Sequence, residues 1–180
     1  MTLSQIVATA LDQLGHSNDA LTLGEWSEKF SQLANEALLD IANRLKLRRT
    51  DPAVVSDTGE LSIDQLPNEC TKVLSIWQGN RLIPFGRGRT TFTIQVDATG
   101  EVEVEYRYVP PIMANETDEP GIPERLHSLI VTYICAREWT STDEQNRSNP
   151  FYELYNSGLV RAQQTYGEPE TYKIYNKYGV

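Results

Sequence analysis

Little in this sequence could do chemistry. It has two histidines, His16 and His127, and two cysteines, Cys70 and Cys135. No HxxxH or CxxC spacing is present by which a helix or a turn offers two ligands to one metal ion. Cys70 and Cys135 lie far apart in apolar settings and read as buried, reduced thiols. His127 reads as a structural or surface histidine, not a base. There is no GxSxG nucleophile elbow, no Walker loop and no dinucleotide fingerprint, and Gly86-Arg87-Gly88 is a lone GxG. Asp118 with Glu119 and Asp143 with Glu144 are paired carboxylates. A glycosidase needs its two acids across a cleft, about 5–9.5 Å apart, which sequence neighbours do not report. With 25 acids in 180 residues such pairs arise by chance. The reading is therefore non-enzymatic: no catalytic residue, no metal ligand set and no cofactor.

The basic groups remain. Arg44, Lys46, Arg48 and Arg49 fall at the C-terminal end of a long expected helix, where cations complement the helix dipole at about 0.3–1 kcal/mol each. Arg87 and Arg89 fall in a Gly-rich stretch between two expected strands and read as a hairpin tip. Arg48, Arg49, Arg87 and Arg89 are thus the candidate contacts to DNA or to a protein partner. The net charge of −9 argues against a free-standing nucleic-acid binder. The N-terminus lacks the basic start and long apolar run of a signal peptide, so a reducing cytoplasm is expected for folding.

These groups must be held by some scaffold, and residues 118–139 organise it. Pro120, Gly121 and Pro123 stop whatever precedes. Pro123 suits a first helical turn, and Glu124 there complements the dipole. Leu126, Leu129, Ile130 and Tyr133 mark one face; Val131, Ile134, Cys135 and Trp139 mark its neighbour. A helix apolar on two stripes is central. Its apolar run is broken too often by polar groups to cross a membrane.

Two helices precede it. Residues 2–14 repeat at helical spacing (Leu3, Ile6, Val7, Ala10, Leu11, Leu14), with a Thr2/Gln5 capping box and Gly15 as the stop. A second capping box, Thr22/Glu25, opens a helix to about Leu47 along Trp26, Phe30, Leu33, Ala37, Leu38, Ile41 and Leu45. Residues 51–110 change to period two and give four or five short antiparallel strands in one small sheet with a wet face. Gly79-Asn80 is a tight turn, Val102, Val104 and Tyr106 alternate with Glu101, Glu103 and Glu105, and Pro110-Pro111 closes the sheet. After a polar loop at 141–148, Asn149-Pro150 caps a last helix to about Tyr166, with Tyr152, Tyr155, Leu159, Ala162 and Tyr166 on one side. Residues 168–180 carry Tyr172, Ile174, Tyr175 and Tyr178 near period two and read as a segment that docks on a partner.

The expected fold is α+β: mainly a bundle of about four helices with a small inserted antiparallel sheet and an extended C-terminal tail. The divisions are 1–50 (N-terminal helices), 51–111 (inserted β-rich part), 112–166 (helix pair) and 167–180 (docking tail).

The order of elements, with several local patterns, resembles a known family. Leu66-Pro67 precedes a strand at 72–77. A Glu-rich strand ends in Tyr106, Tyr108 and Pro110. Asp118-Glu119-Pro120, Ile122-Pro123-Glu124 and Leu126-His127 then lead into an apolar helix with Tyr133 and Ala136. The helix from Trp26 to Leu45 fits as well. Over roughly residues 20–166 this resembles the head-to-tail adaptor (connector, or tail tubular) proteins of tailed bacteriophages. The resemblance implies a structural virion protein in a dodecameric ring beneath the portal, at the head–tail neck, assembled in the host cytoplasm. It implies the portal protein, the next tail or nozzle protein and further copies of the chain as partners, and DNA passing through without sequence-specific binding. It also implies portal docking by the C-terminal segment, here Tyr172, Ile174, Tyr175 and Tyr178. Repeating an acidic subunit around a channel would repel phosphates and let DNA slide, the converse of binding by counterion release. The alternatives are a tail-completion or terminator protein, a DNA-binding regulator built around residues 44–49, and a cell-wall hydrolase.

Overall fold

The computed structural model describes residues 1–17, 19–141 and 150–166. The chain is α+β: four helices packed through one core and two antiparallel sheets packed through another.

The helical core forms where the periodicity places it. Helix α1 (Leu3–Gln13) opens with the Thr2/Gln5 capping box, each side chain satisfying a backbone N–H of the other's end. It closes at Leu14, followed by Gly15 at φ +77°, a left-handed position that glycine takes without strain. Helix α2 (Ala20–Leu45) starts two residues before the expected capping box. Asp19, not Thr22, is its cap: one carboxylate oxygen accepts the N–H groups of Leu21 and Thr22 at 3.0 and 2.9 Å. The helix ends at Lys46, in the left-handed conformation, so Arg48 and Arg49 leave it for a strand.

Helix α3 (His127–Ser141) contacts each of the other three helices, as a helix with two apolar stripes must. Ile130, Val131, Ile134 and Cys135 are at most 2% exposed, whereas Leu129 and Tyr133 are half-buried. Its entry is tighter than expected: Pro123 precedes a single 3-10 turn, Glu124–Leu126, and the α-helical bonds begin only after it. Helix α4 (Pro150–Tyr166) buries Tyr155, Leu159 and Ala162. Tyr152, expected on that face, is 54% exposed. The cap expected at Asn149 and the loop expected at 142–148 lie outside the described residues. Two polar grips tie the helices to the connecting chain. The Asn35 amide accepts the Met113 N–H at 2.8 Å and donates to the Met113 carbonyl at 3.0 Å. The N–H groups of Leu3 and Ser4 donate to the carbonyls of Asp118 and Glu116.

The β-rich part holds seven strands in two sheets, not one small sheet. One sheet has the order β1 (Arg48–Val55), β7 (Gly100–Val109), β3 (Glu69–Gln78), β4 (Arg81–Leu82). The other has the order β2 (Glu60–Ser62), β6 (Thr93–Val96), β5 (Phe85–Arg87). Strand β1 is unforeseen, as is β5, where the sequence reads a hairpin tip. Strand β1 carries Pro52, which an edge strand tolerates because its missing N–H is not required by an outer neighbour. In β7, Val102, Val104 and Tyr106 point into the core while Glu101 and Glu103 stay exposed, so the expected alternation holds. Gly79-Asn80 makes the two-residue turn between β3 and β4, with Gly79 at φ +59°. The core between the sheets gathers Val55, Leu61, Ile76, Ile83, Val96 and Val104.

Tyr108 joins the two cores and packs against both. Its N–H donates to the Leu47 carbonyl at 3.3 Å and its hydroxyl to the Gly121 carbonyl at 3.0 Å. The β-rich part therefore meets the helices where α2 ends and where the chain turns into α3.

Candidate functional site

Among the described residues, His127, Asp118 and Cys135 are engaged in holding the fold. His127 is 4% exposed. Its Nε2 lies 3.1 Å from the Ile122 carbonyl and its Nδ1 lies 3.0 Å from the amino terminus of Met1. With the proton on Nε2, the ring donates to the carbonyl and accepts from the ammonium. Asp118 accepts the N–H groups of Ala114 and Asn115, each at 2.8 Å, and these bonds hold its carboxyl below the usual range. That makes it the staple of a turn. Asp143 and Glu144 lie outside the described residues. Cys70 and Cys135 are free thiols. Burial pushes the Cys135 thiol up to about 12, far from the thiolate that a nucleophile needs. Among the described residues no three His, Cys, Asp or Glu side chains gather where a metal ion could sit. Among them, too, no helix is long and apolar enough to cross a membrane.

The four candidate arginines separate into two places. Arg48 and Arg49 sit on β1, not on the end of α2. Arg48 reaches Glu105 at 3.2 Å, and the same carboxylate accepts the Ser75 hydroxyl at 2.8 Å. Ser75 in turn accepts the Trp77 indole N–H at 2.9 Å, so β1, β7 and β3 are laced together across their outer face. Arg49 pairs with Asp51 at 2.8 Å, and Asp51 also accepts the Tyr106 hydroxyl at 2.7 Å. That leaves Asp51 only 8% exposed, with two partners. Burial first, and the Asp51 hydrogen bond second, raise the Tyr106 phenol. Arg48 and Arg49 also line a small cavity of about 310 Å³ with Thr165 and Tyr166, the last turn of α4.

Arg87 ends β5 in the three-stranded sheet, and Arg89 follows it. The Gly-rich stretch is not all hairpin tip: Gly86 and Arg87 belong to β5, and Gly88 still donates to the Thr93 carbonyl at 3.1 Å. A Cβ on Gly88 would meet that carbonyl oxygen at 2.4 Å, so the pairing needs glycine there. Both arginines line a groove of about 970 Å³ together with Lys72 of β3. The remaining candidates, Tyr172, Ile174, Tyr175 and Tyr178, lie outside the described residues.

Residues 85–171 match the family model described as SU10 adaptor protein. The match runs from β5 through α4 and covers just under half of the chain. It suggests a phage structural adaptor, a component of the virion that contacts other phage structural proteins, and this family is not one of enzymes. No curated protein matches the chain.

The matched stretch includes Arg87 and Arg89 and leaves out Arg48 and Arg49. Lys72 went unnoticed in the sequence because β3 read as an apolar alternation. Nothing local says that its neighbour in space is a strand more than ten residues on.

Proposed function

We propose that this chain is a head-to-tail adaptor: a structural virion subunit that forms a dodecameric ring beneath the portal and carries the DNA channel on toward the tail. The observation that carries the reading is the adaptor-family match over residues 85–171, laid on a chain whose helix–sheet–helix order resembles the same class of protein. The four helices would form the bundle of the ring wall, with α3 at its centre. A ring closes through a heterologous interface, which needs two different faces on each subunit. This chain offers chemically different ones: an outer sheet face carrying Glu101, Glu103 and Glu105, and a groove carrying Lys72, Arg87 and Arg89. With a net charge of −9, acidic surfaces repeated around a channel would keep DNA phosphates from adhering.

In this reading residues 168–180, with Tyr172, Ile174, Tyr175 and Tyr178, dock on the portal. The last described residue before them, Tyr166, lines a cavity with Arg48 and Arg49. The portal and the next tail or nozzle protein are the partners on the two sides of the ring. The test is a truncation after Gly167, co-sedimented with the portal protein of the same phage. The truncated chain is expected to melt at the temperature of the full chain and to stay in the supernatant. Truncated chain that pellets with portal as fully as the intact chain would remove the docking role.

A further inference from the structure

The groove beside Arg87 has a composition unusual for this chain. Its lining contains three cations, Lys72, Arg87 and Arg89, and no acid, although acids outnumber bases 25 to 16 in the sequence. All three cations are exposed, and none forms an ion pair among the described residues. That contrasts with Arg44, Arg48 and Arg49, each of which holds a carboxylate. Below the cations the floor is apolar: Val73 and Ile94 are half-buried and Phe85 is 39% exposed.

The walls are open strand edges. Strand β5 ends its sheet. Gly88 donates to Thr93 and Asp97 donates to Pro84, so these two opposed pairs carry the ladder bonds at either end of β5. Antiparallel ladders alternate, which assigns the next inward bonds to Gly86 and turns the N–H and C=O groups of Phe85 and Arg87 away from β6, to the open edge of β5. Across the groove, β4 and the Ile83 N–H that follows it cover β3 only from Ile76 to Gln78, so residues 70–73 have no strand neighbour on that side among the described residues. The other edge of the fold is treated differently. There the Gln65 amide grips both the N–H and the C=O of Val54 and occupies the outside of β1.

We propose that this groove receives an extended, acidic polypeptide segment of another protein, which adds as a strand to β5. Backbone bonds to Phe85 and Arg87 would hold the segment, alternate apolar side chains would fill the floor, and carboxylates would meet Lys72, Arg87 and Arg89. Phosphate binding would need the cations but neither the apolar floor nor two unpaired strand edges. The proposal rests on the adaptor reading only for the identity of the partner, a neighbouring virion protein, and gives the chain a docking surface separate from residues 168–180.

The test uses the full chain and a fluorescein-labelled synthetic peptide alternating glutamate with valine, followed by anisotropy. The comparators are the same peptide with lysine for glutamate and a labelled duplex DNA. Saturable binding of the glutamate peptide alone is expected. The double variant Lys72→Glu, Arg87→Glu should weaken it about tenfold or more, since each change replaces an attraction by a repulsion. The variant's melting temperature should hold, because both side chains are exposed. Hydrogen exchange at the amides of Phe85 and Arg87 should slow when the peptide is bound. No binding, equal binding of the lysine peptide, or exchange unchanged at both amides would overturn the proposal. Preferential binding of the duplex, lost in the variant, would reassign the groove to phosphate. Because the assay contains no portal, its failure leaves the adaptor reading standing, and failure of portal docking leaves this result standing.

Discussion

The packing of α4 depends on Tyr155, and its removal can be worked through. Tyr155 is 1% exposed, sits edge-on to Tyr133 at 5.2 Å, and donates its hydroxyl to Asp40 of α2 at 2.6 Å. Tyr155→Phe keeps the ring and removes only that bond. A hydrogen bond to a charged acceptor contributes about 1.5–3 kcal/mol. Asp40 keeps Arg44 at 3.0 Å and is 30% exposed, so water replaces part of what is lost. The expected cost is therefore at the low end, about 1.5 kcal/mol, or roughly 3–6 °C in melting temperature for a domain of this size. Tyr155→Ala also empties the ring's volume and should cost about 3–5 kcal/mol. Urea unfolding followed by circular dichroism measures both, and a double-mutant cycle with Asp40→Asn isolates the bond. A Tyr155→Phe variant as stable as the parent would show that the hydroxyl bond contributes nothing. A Tyr155→Ala variant within about 0.5 kcal/mol of the parent would mean that α4 is not packed on α2 and α3 as described.

Two further outcomes are expected. Ile134→Asp places a carboxylate at a position with no exposed surface, where an unpaired charge costs several kcal/mol, a large part of a typical domain's stability. The variant should lack a cooperative melt, and a melt at the parent temperature would displace α3 from the centre of the core. The second concerns alkaline pH. Burial raises the thiols of Cys70 and Cys135 and the phenols of Tyr106, Tyr108, Tyr133 and Tyr155, so the native state holds these protons more tightly than the unfolded chain. For Cys135 that contribution is complete below the ordinary thiol value of 9.0 and is lost as pH rises from there to about 12. Melting temperature should stay level up to the start of that window and fall within it, and Cys135→Ala should fall less steeply; identical slopes would remove the thiol from the account.

What was legible followed from local pattern. The Thr2/Gln5 box, the two-striped α3 and the Glu-alternating β7 each declare themselves within a few residues, and the turn at Gly79-Asn80 is a two-residue signal. What was not legible is set by partners distant in sequence. Arg48-Arg49-Thr50-Asp51-Pro52 has no clean period and contains a proline, yet it is a strand because β7 offers an edge. Alternation identifies a strand but not its neighbour, so the division into two sheets was hidden. The β3 register also slips near Thr71 and Leu74, which blurs its own alternation. Asp19 lost to Thr22 as the cap because both types suit that position, and only geometry separates them. Tyr152 follows the apolar stripe of α4 in sequence but is 54% exposed. Of the candidate arginines, the sequence marked Arg87 and Arg89 but could not reveal Lys72 or the open edges around them. Nor could it show that Arg48 and Arg49 are taken up by Glu105 and Asp51.

The most direct test of the adaptor account is electron microscopy of this chain mixed at moderate salt with the portal protein of the same phage. The account predicts a second ring stacked on the portal, with twelvefold symmetry in its averages. Portal rings left bare, in a sample where the chain is demonstrably folded, would contradict it.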